Sequence, residues 1–183
     1  MNEFLTDIKE IRERARKSME RGPITESYKA DPHKVISVLN EALATEIVCV
    51  LRYKRHYYMA KGIHAEPVAQ EFLQHANEEQ THADQIAERI TQLQGEPDFN
   101  PASLSSRSHS EYVEAESLGE MIRENLVAER IAIETYSEII RWLGADDPTT
   151  RSLMERILAV EEEHADDLVN MLAAFKPDKP DKI

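Results

Sequence analysis

Glycine is scarce here, with only 5 in 183 residues, and aromatic residues make up only 6%. Sandwiches and barrels need many tight turns, so this composition argues against both. A single cysteine, Cys49, excludes an intrachain disulfide and any paired-cysteine metal ribbon, and is read as a small buried hydrophobe. Long apolar runs are also missing. The longest in the helical regions is Ile47 to Leu51, far short of the roughly 20 residues a membrane span requires. The N-terminal MNEFLTDIKE has no secretory apolar stretch. Positive charge is in the minority: Lys and Arg number 22 against 35 Asp and Glu, a net charge of −13. Such a chain is a poor general nucleic-acid binder and a good attractor of cations. The locally basic IRERARKSMER is interrupted by acids and reads as a solvated helix face. The expectation is a cytoplasmic protein with one sizeable core and no membrane association.

What is present is long stretches without a helix breaker. Pro32, Gly62, Pro67, Gly95, Pro97, Pro101, Gly144, Pro148 and Pro177 mark the breaks, and stretches 33–61, 68–94, 120–143 and 149–176 contain neither glycine nor proline. Each could form a helix of roughly 35–45 Å at about 1.5 Å per residue. Asp31-Pro32 and Asp147-Pro148 read as N-caps followed by a first-turn proline, and Ser117 with Glu120 as a capping box. Gly62, Gly95 and Gly144 stand where helix-terminating glycines belong. Apolar residues advance by threes and fours, as in Leu39, Leu43, Ile47, Val50, Tyr53 and Tyr57, or Leu153, Ile157, Leu168, Met171, Leu172 and Phe175. The class is all-α: a four-helix bundle. Short links join helices one and two, and helices three and four. A longer polar segment, about 96–116, joins helices two and three and can run the length of the bundle. One long crossover is the ferritin-like connectivity. Residues 1–30 form an N-terminal extension, with a helix over 1–20 carrying Phe4, Ile8, Ile11, Ala15 and Met19 on one side; the bundle spans 31–176, and 177–183 is a flexible tail.

The chemistry shows as violations of the core pattern. The apolar stripes pass through Glu46, through Glu79 and His82, through Glu129, and through Glu161 and His164. An inward carboxylate without a partner is so unfavourable that it protonates or is paired. Glu79/His82 and Glu161/His164 are i, i+3 pairs, so both members project from one face. Glu46 and Glu79 are 33 positions apart, Glu129 and Glu161 32, which places each couple at mid-height of a hairpin. An internal repeat supports this. LATE with Tyr53 seven residues on matches LVAE with Tyr136 seven on, and EQTHAD matches EEEHAD. Four Glu and two His from four helices form the ligand set of di-iron or di-manganese carboxylate bundles. Symmetry suggests Glu79 and Glu161 as bridges, with Glu46 and His82 completing one metal and Glu129 and His164 the other. Tyr53 and Tyr136 flank the site, as redox or hydrogen-bonding neighbours or as core packing. His56 is a candidate for transient iron, and Asp84 and Asp166 are read as partners behind the ligands. His33, His64, His75 and His109 show no paired spacing.

LNEALATEIVCVLRYKRHYY, EEQTHADQIAERI, ENLVAERIAIETYSEII and RILAVEEEHADDL resemble the four helices of a bacterioferritin, within the wider ferritin and Dps-like group, over roughly 32–175. By that resemblance Glu46, Glu79, His82, Glu129, Glu161 and His164 match the ferroxidase ligands. Tyr53 matches the tyrosine beside that centre and joins them as a candidate catalytic residue. It implies two iron ions per subunit, with manganese as the alternative metal, oxidation of Fe²⁺ by O₂ or H₂O₂, and storage of ferric mineral in a hollow homo-oligomer. Haem-binding bacterioferritins use a Met inside the ExxH segment of the second helix. Gln80 stands there in this chain, so no haem is expected. The N-terminal extension and longer crossover resemble Dps-like relatives, leaving shells of 12 or 24 subunits open. Three alternatives remain: a di-iron oxygenase or hydroxylase, which needs an apolar substrate channel; a manganese catalase; and a Dps-like DNA-protecting protein, which needs a basic arm this chain lacks.

Overall fold

A computed structural model describes residues 6–63 and 65–174. Phe4, His64, Phe175 and the tail 177–183 lie outside the described residues. The elements are α1 (Ile8–Arg14), a 3₁₀ turn (Met19–Arg21), α2 (Pro32–Met59), α3 (Ala65–Gln92), α4 (Leu104–Arg107), α5 (Leu118–Leu143) and α6 (Pro148–Ala174). Helices α2 and α3 form one hairpin and α5 and α6 the other. The hairpins meet through α2 on α5 and α3 on α6, while the short α4 packs on α2. No described helix is long and apolar enough to cross a membrane.

The expected start signals operate. The Asp31 carboxylate accepts from the His33 amide at 3.0 Å, with Pro32 opening α2. The Asp147 carboxylate accepts from the Thr150 amide at 2.9 Å ahead of α6, and Ser117 and Glu120 form a reciprocal capping box on α5. Pro67 is not a break, because α3 already starts at Ala65. In a first turn proline's missing N–H loses no helical bond. The stop signals differ in detail. Gly144 ends α5 with φ +50°, as expected, whereas α2 ends in the extended Ala60 and Gly62 falls in the following turn. At the end of α3, Gln94 adopts the left-handed conformation. The amides of Gln94 and Gly95 then bond to the carbonyls of Thr91 and Ile90, both at 2.9 Å, in a Schellman arrangement. Gly95 is needed for space, since a Cβ there would lie 2.8 Å from the Ile36 side chain.

The N-terminal helix is shorter than its apolar pattern suggests. Ile8, Ile11 and Met19 are exposed, and α1 buries nothing. Without a surface to cover, a single amphipathic turn or two has little to sustain it. The extension is instead fastened by Ile24, buried in the core, and by Tyr28, whose hydroxyl donates to Asp147 at 2.8 Å. Asp147 also pairs with the buried Arg89 at 3.0 Å, tying the extension, α3 and the start of α6 together.

The crossover is strapped along α2. The Asp98 amide bonds to Asn40 at 2.7 Å, the His109 amide to the Thr45 hydroxyl at 2.9 Å, and Arg52 donates to the Glu111 carbonyl at 2.9 Å. These contacts run from the N-terminal half of α2 toward its C-terminus, so α5 starts beside the end of α2 and descends antiparallel to it. The apolar core is divided into two clusters. One holds Leu39, Leu43, Ile86, Ile90, Ile139 and Met154; the other holds Tyr53, Phe72, Ala76, Ile122 and Leu168. Each of α2, α3, α5 and α6 places a buried glutamate in the interval between them.

Candidate metal centre

Glu46 on α2, Glu79 and His82 on α3, Glu129 on α5, and Glu161 and His164 on α6 all occupy this interval, each 5% exposed or less. The predicted side chains converge. One group that could hold a metal ion comprises Glu46, Glu79, His82 and Glu161; the other comprises Glu79, Glu129, Glu161 and His164. Glu79 and Glu161 are common to both. His82 Nδ1 lies 3.0 Å from Glu161, 3.4 Å from Glu79 and 3.5 Å from Glu46. His164 Nδ1 lies 3.5 Å from Glu161, 3.6 Å from Glu79 and 3.9 Å from Glu129. The two groups match residue for residue, Glu46 and His82 in one answering Glu129 and His164 in the other, as the internal repeat leads one to expect.

Tyr53 donates its hydroxyl hydrogen to Glu129, and Tyr136 donates to Glu46. Both tyrosines are fully buried, so they join packing and polar roles: the rings fill the apolar clusters and the hydroxyls orient the carboxylates.

Burial, then the neighbouring Glu79, pushes Glu46 up to about 8. Burial, then Glu79 and Glu161, pushes Glu129 well above the carboxylate range. Burial opposes charge on the histidines too, but the surrounding carboxylates prevail: Glu161, Glu46 and Glu79 raise His82, and Glu161 and Glu79 raise His164 to about 11. The unpartnered atoms test whether the residues fit metal ions. Glu46 Oε2, Glu79 Oε1, His82 Nδ1, both Glu161 oxygens and His164 Nδ1 are buried with no hydrogen-bond partner. Buried polar atoms are normally satisfied. Here they aim into one space, and imidazole and carboxylate are the donors that iron and manganese accept.

Several expectations around the site change. His56 stands outside the metal groups: it is buried, its Nδ1 lies 3.0 Å from the Asn125 side-chain oxygen, and its Nε2 lies 3.1 Å from the Val113 carbonyl, securing the crossover. Asp84 and Asp166 are exposed and accept from Gln80 and Asn170 instead. Two residues beyond a histidine is about 200° around the helix, on the solvent face. The partner behind a ligand is Glu78, whose Oε2 accepts from His164 Nε2 at 2.8 Å and thereby directs Nδ1 inward. His75 was also missed. It is fully buried, stacks on His164 with ring centroids 3.9 Å apart, and its Nδ1 is 3.2 Å from the Tyr53 hydroxyl. Its sequence signal is the i, i+4 relation to Glu79. The repeat hides it, because Ile157 stands at the corresponding place in the second half.

A cleft of about 330 Å³ between α3 and α6 reaches the centre. Glu78, Thr81, Gln85, Glu163 and Asp167 line it, with His82 and His164 at its floor.

An antiparallel helical bundle with four glutamates and two histidines at one level of its core defines the class of di-metal carboxylate proteins. The chain belongs to the ferritin-like di-iron family: the Ferritin-like domain model matches residues 36–176. The bacterioferritin of Desulfovibrio desulfuricans is 29% identical over 132 residues, 72% of this chain and 70% of that one. Its X-ray structure, which describes the diiron site in different catalytic states, superposes with a TM-score of 0.67 at 28% identity, covering 78% of this chain and 80% of that one. The nutrient stress-induced DNA-binding protein of a Nostoc species is 32% identical over 145 residues, 74% of this chain and 75% of that one. The dodecameric thioferritin of Bacteroides fragilis, a bacterioferritin-related protein, superposes with a TM-score of 0.77 at 34% identity, covering 80% of this chain and 88% of that one.

Proposed function

We propose that this protein is a ferroxidase that stores iron, with Glu46, Glu79, His82, Glu129, Glu161 and His164 holding a pair of iron ions within one subunit. The observation that carries this reading is the set of six buried, unpartnered oxygen and nitrogen atoms aimed into one space. Four carboxylates offset the charge of two ferrous ions. Glu79 and Glu161, common to both groups, would serve both ions; Glu46 with His82 would hold one, and Glu129 with His164 the other.

Two Fe²⁺ ions taken up as substrate supply two electrons. With H₂O₂ and two protons they yield two Fe³⁺ and two waters; with O₂ and two protons they yield two Fe³⁺ and H₂O₂. The protein holds the ligands in place and manages protons. Glu78 keeps the His164 Nδ1 lone pair inward, and Tyr53 and Tyr136 turn the Glu129 and Glu46 carboxylates toward the metals. Protons that occupy the carboxylates and imidazoles before loading leave as iron enters. Glu78, Glu163 and Asp167 place three carboxylates on the cleft that reaches the centre, beside Arg156, Ile157 and Val160.

The likeness to the dodecameric Bacteroides fragilis protein supports a closed shell of twelve copies of this 21.0 kDa chain, about 250 kDa in all. The net charge of −13 favours cation uptake over DNA coating. Anaerobic loading with Fe²⁺ followed by rapid mixing with O₂ or H₂O₂ tests the activity and ranks the oxidants. A fast phase consuming two irons per chain, absent from Glu79→Ala, is the expected result. Oxidation no faster than in buffer refutes it.

A further inference from the structure

We propose a third divalent-cation site beside the pair, formed by Glu71 and His75 of α3 and Asp167 of α6. Its binding chemistry rests on residues outside the six-ligand cluster. Its use, holding the next ferrous ion close to the pair, rests on the ferroxidase reading.

Tyr53 spends its hydroxyl hydrogen on Glu129, so its oxygen can only accept from His75 Nδ1 at 3.2 Å. The His75 proton therefore sits on Nδ1, and Nε2 presents a bare lone pair. That lone pair lies 3.4 Å from Glu71 Oε1 and 4.0 Å from Asp167 Oδ2. His75 is fully buried and Nε2 has no hydrogen-bond partner. A buried lone pair facing two carboxylates is repulsive unless a cation stands among them.

The three side chains are spaced to supply that cation's ligands, one atom from each lying within 4.8 Å of the others. Among the described residues neither Glu71 nor Asp167 has a lysine or arginine partner. Glu71 and Asp167 remain partly exposed, leaving room for water to complete the coordination. One imidazole and two carboxylates select a first-row divalent ion such as Fe²⁺, Mn²⁺ or Zn²⁺ over calcium, which prefers oxygen alone. The site adjoins the pair on two sides: through Tyr53 to Glu129, and through the stacked ring of His164. It has no twin in the other half, where Leu153 and Ile157 stand in place of Glu71 and His75.

Zinc is a redox-silent probe for the test. Calorimetric titration of the intact assembly with micromolar Zn²⁺ should count three ions per chain. Zinc-edge anomalous maps should place the third about 2.0–2.1 Å from His75 Nε2. The double variant Glu71→Gln with Asp167→Asn, both partly exposed positions, should lose that ion and keep the other two. An occupied pair with no peak at His75 overturns the proposal, as does a peak that survives the double variant. A peak at His75 with an empty six-ligand cluster upholds this site and refutes the pair. A third arm, His75→Gln, should also lose the third ion, and retention of it would contradict the assignment.

Discussion

The Tyr53 hydroxyl, on α2, donates across the bundle to the Glu129 carboxylate on α5. Tyr136 on α5 returns the same contact to Glu46 on α2. Each hairpin therefore orients a carboxylate of the other, and the level of the core that would otherwise repel itself is cross-braced. The bracing is unequal, since Tyr53 also accepts from His75, whereas among the described residues no histidine backs Tyr136.

Removing either hydroxyl should leave the fold intact, because both rings sit in apolar clusters. Tyr53→Phe should weaken metal binding at the Glu129 half by about 10- to 100-fold. Tyr136→Phe should act on the Glu46 half, and less strongly. Cobalt titration followed by absorption checks this; two identical weakened curves would contradict the unequal bracing.

Glu79 and Glu161 belong to both metal groups, Glu46 and Glu129 to one each. Glu79→Gln should therefore lower the affinity for both ions of the pair, and Glu129→Gln that for one. The check is metal content after exhaustive dialysis, with melting temperature measured in parallel to exclude misfolding.

Cation binding should release protons. With Glu46 raised to about 8 and His164 to about 11, both carry protons near neutrality in the metal-free protein. Ions entering the cluster must displace them, so affinity rises with pH, by about tenfold per unit for each proton displaced. Anaerobic titration in buffers of different ionisation enthalpy measures the number released. A pH-independent affinity between pH 6 and 8 would contradict this account.

Asp147 is held below its ordinary value even though burial pushes the other way. The Thr150 hydroxyl and amide, the Tyr28 hydroxyl and Arg89 prevail. A lowered carboxylate stabilises the fold above its unfolded value of about 3.9, and the contribution is lost as pH falls through the folded value. Asp147→Asn should cost about 3–5 kcal/mol at pH 7, since it leaves Arg89 buried and unpaired. The deficit should shrink below about pH 4. Urea unfolding of both proteins across that range provides the measurement.

The bundle was legible because its punctuation is chemical: Asp31, Ser117 and Asp147 cap the helices they precede. The six clustered residues were legible because a charged side chain on an apolar stripe breaks the pattern, and duplication breaks it twice at matching places. Duplication was also what concealed His75 and Glu78. Their counterparts are Ile157 and Val160, so a search for paired signals passes over both. Asp84 and Asp166 were misread because they repeat faithfully without facing inward. The N-terminal pattern of Ile8, Ile11 and Met19 overstated α1, since periodicity records a preference for burial and nothing in the described bundle covers those residues.

The central claim is that six side chains from four helices of one subunit hold two metals. Crystals grown anaerobically with Fe²⁺ and measured on either side of the iron absorption edge test it directly. The account predicts two anomalous peaks per chain, one between Glu46 and His82 and one between Glu129 and His164, with Glu79 and Glu161 touching both. Iron found only at the subunit surface or between subunits, with this cluster empty, would contradict it.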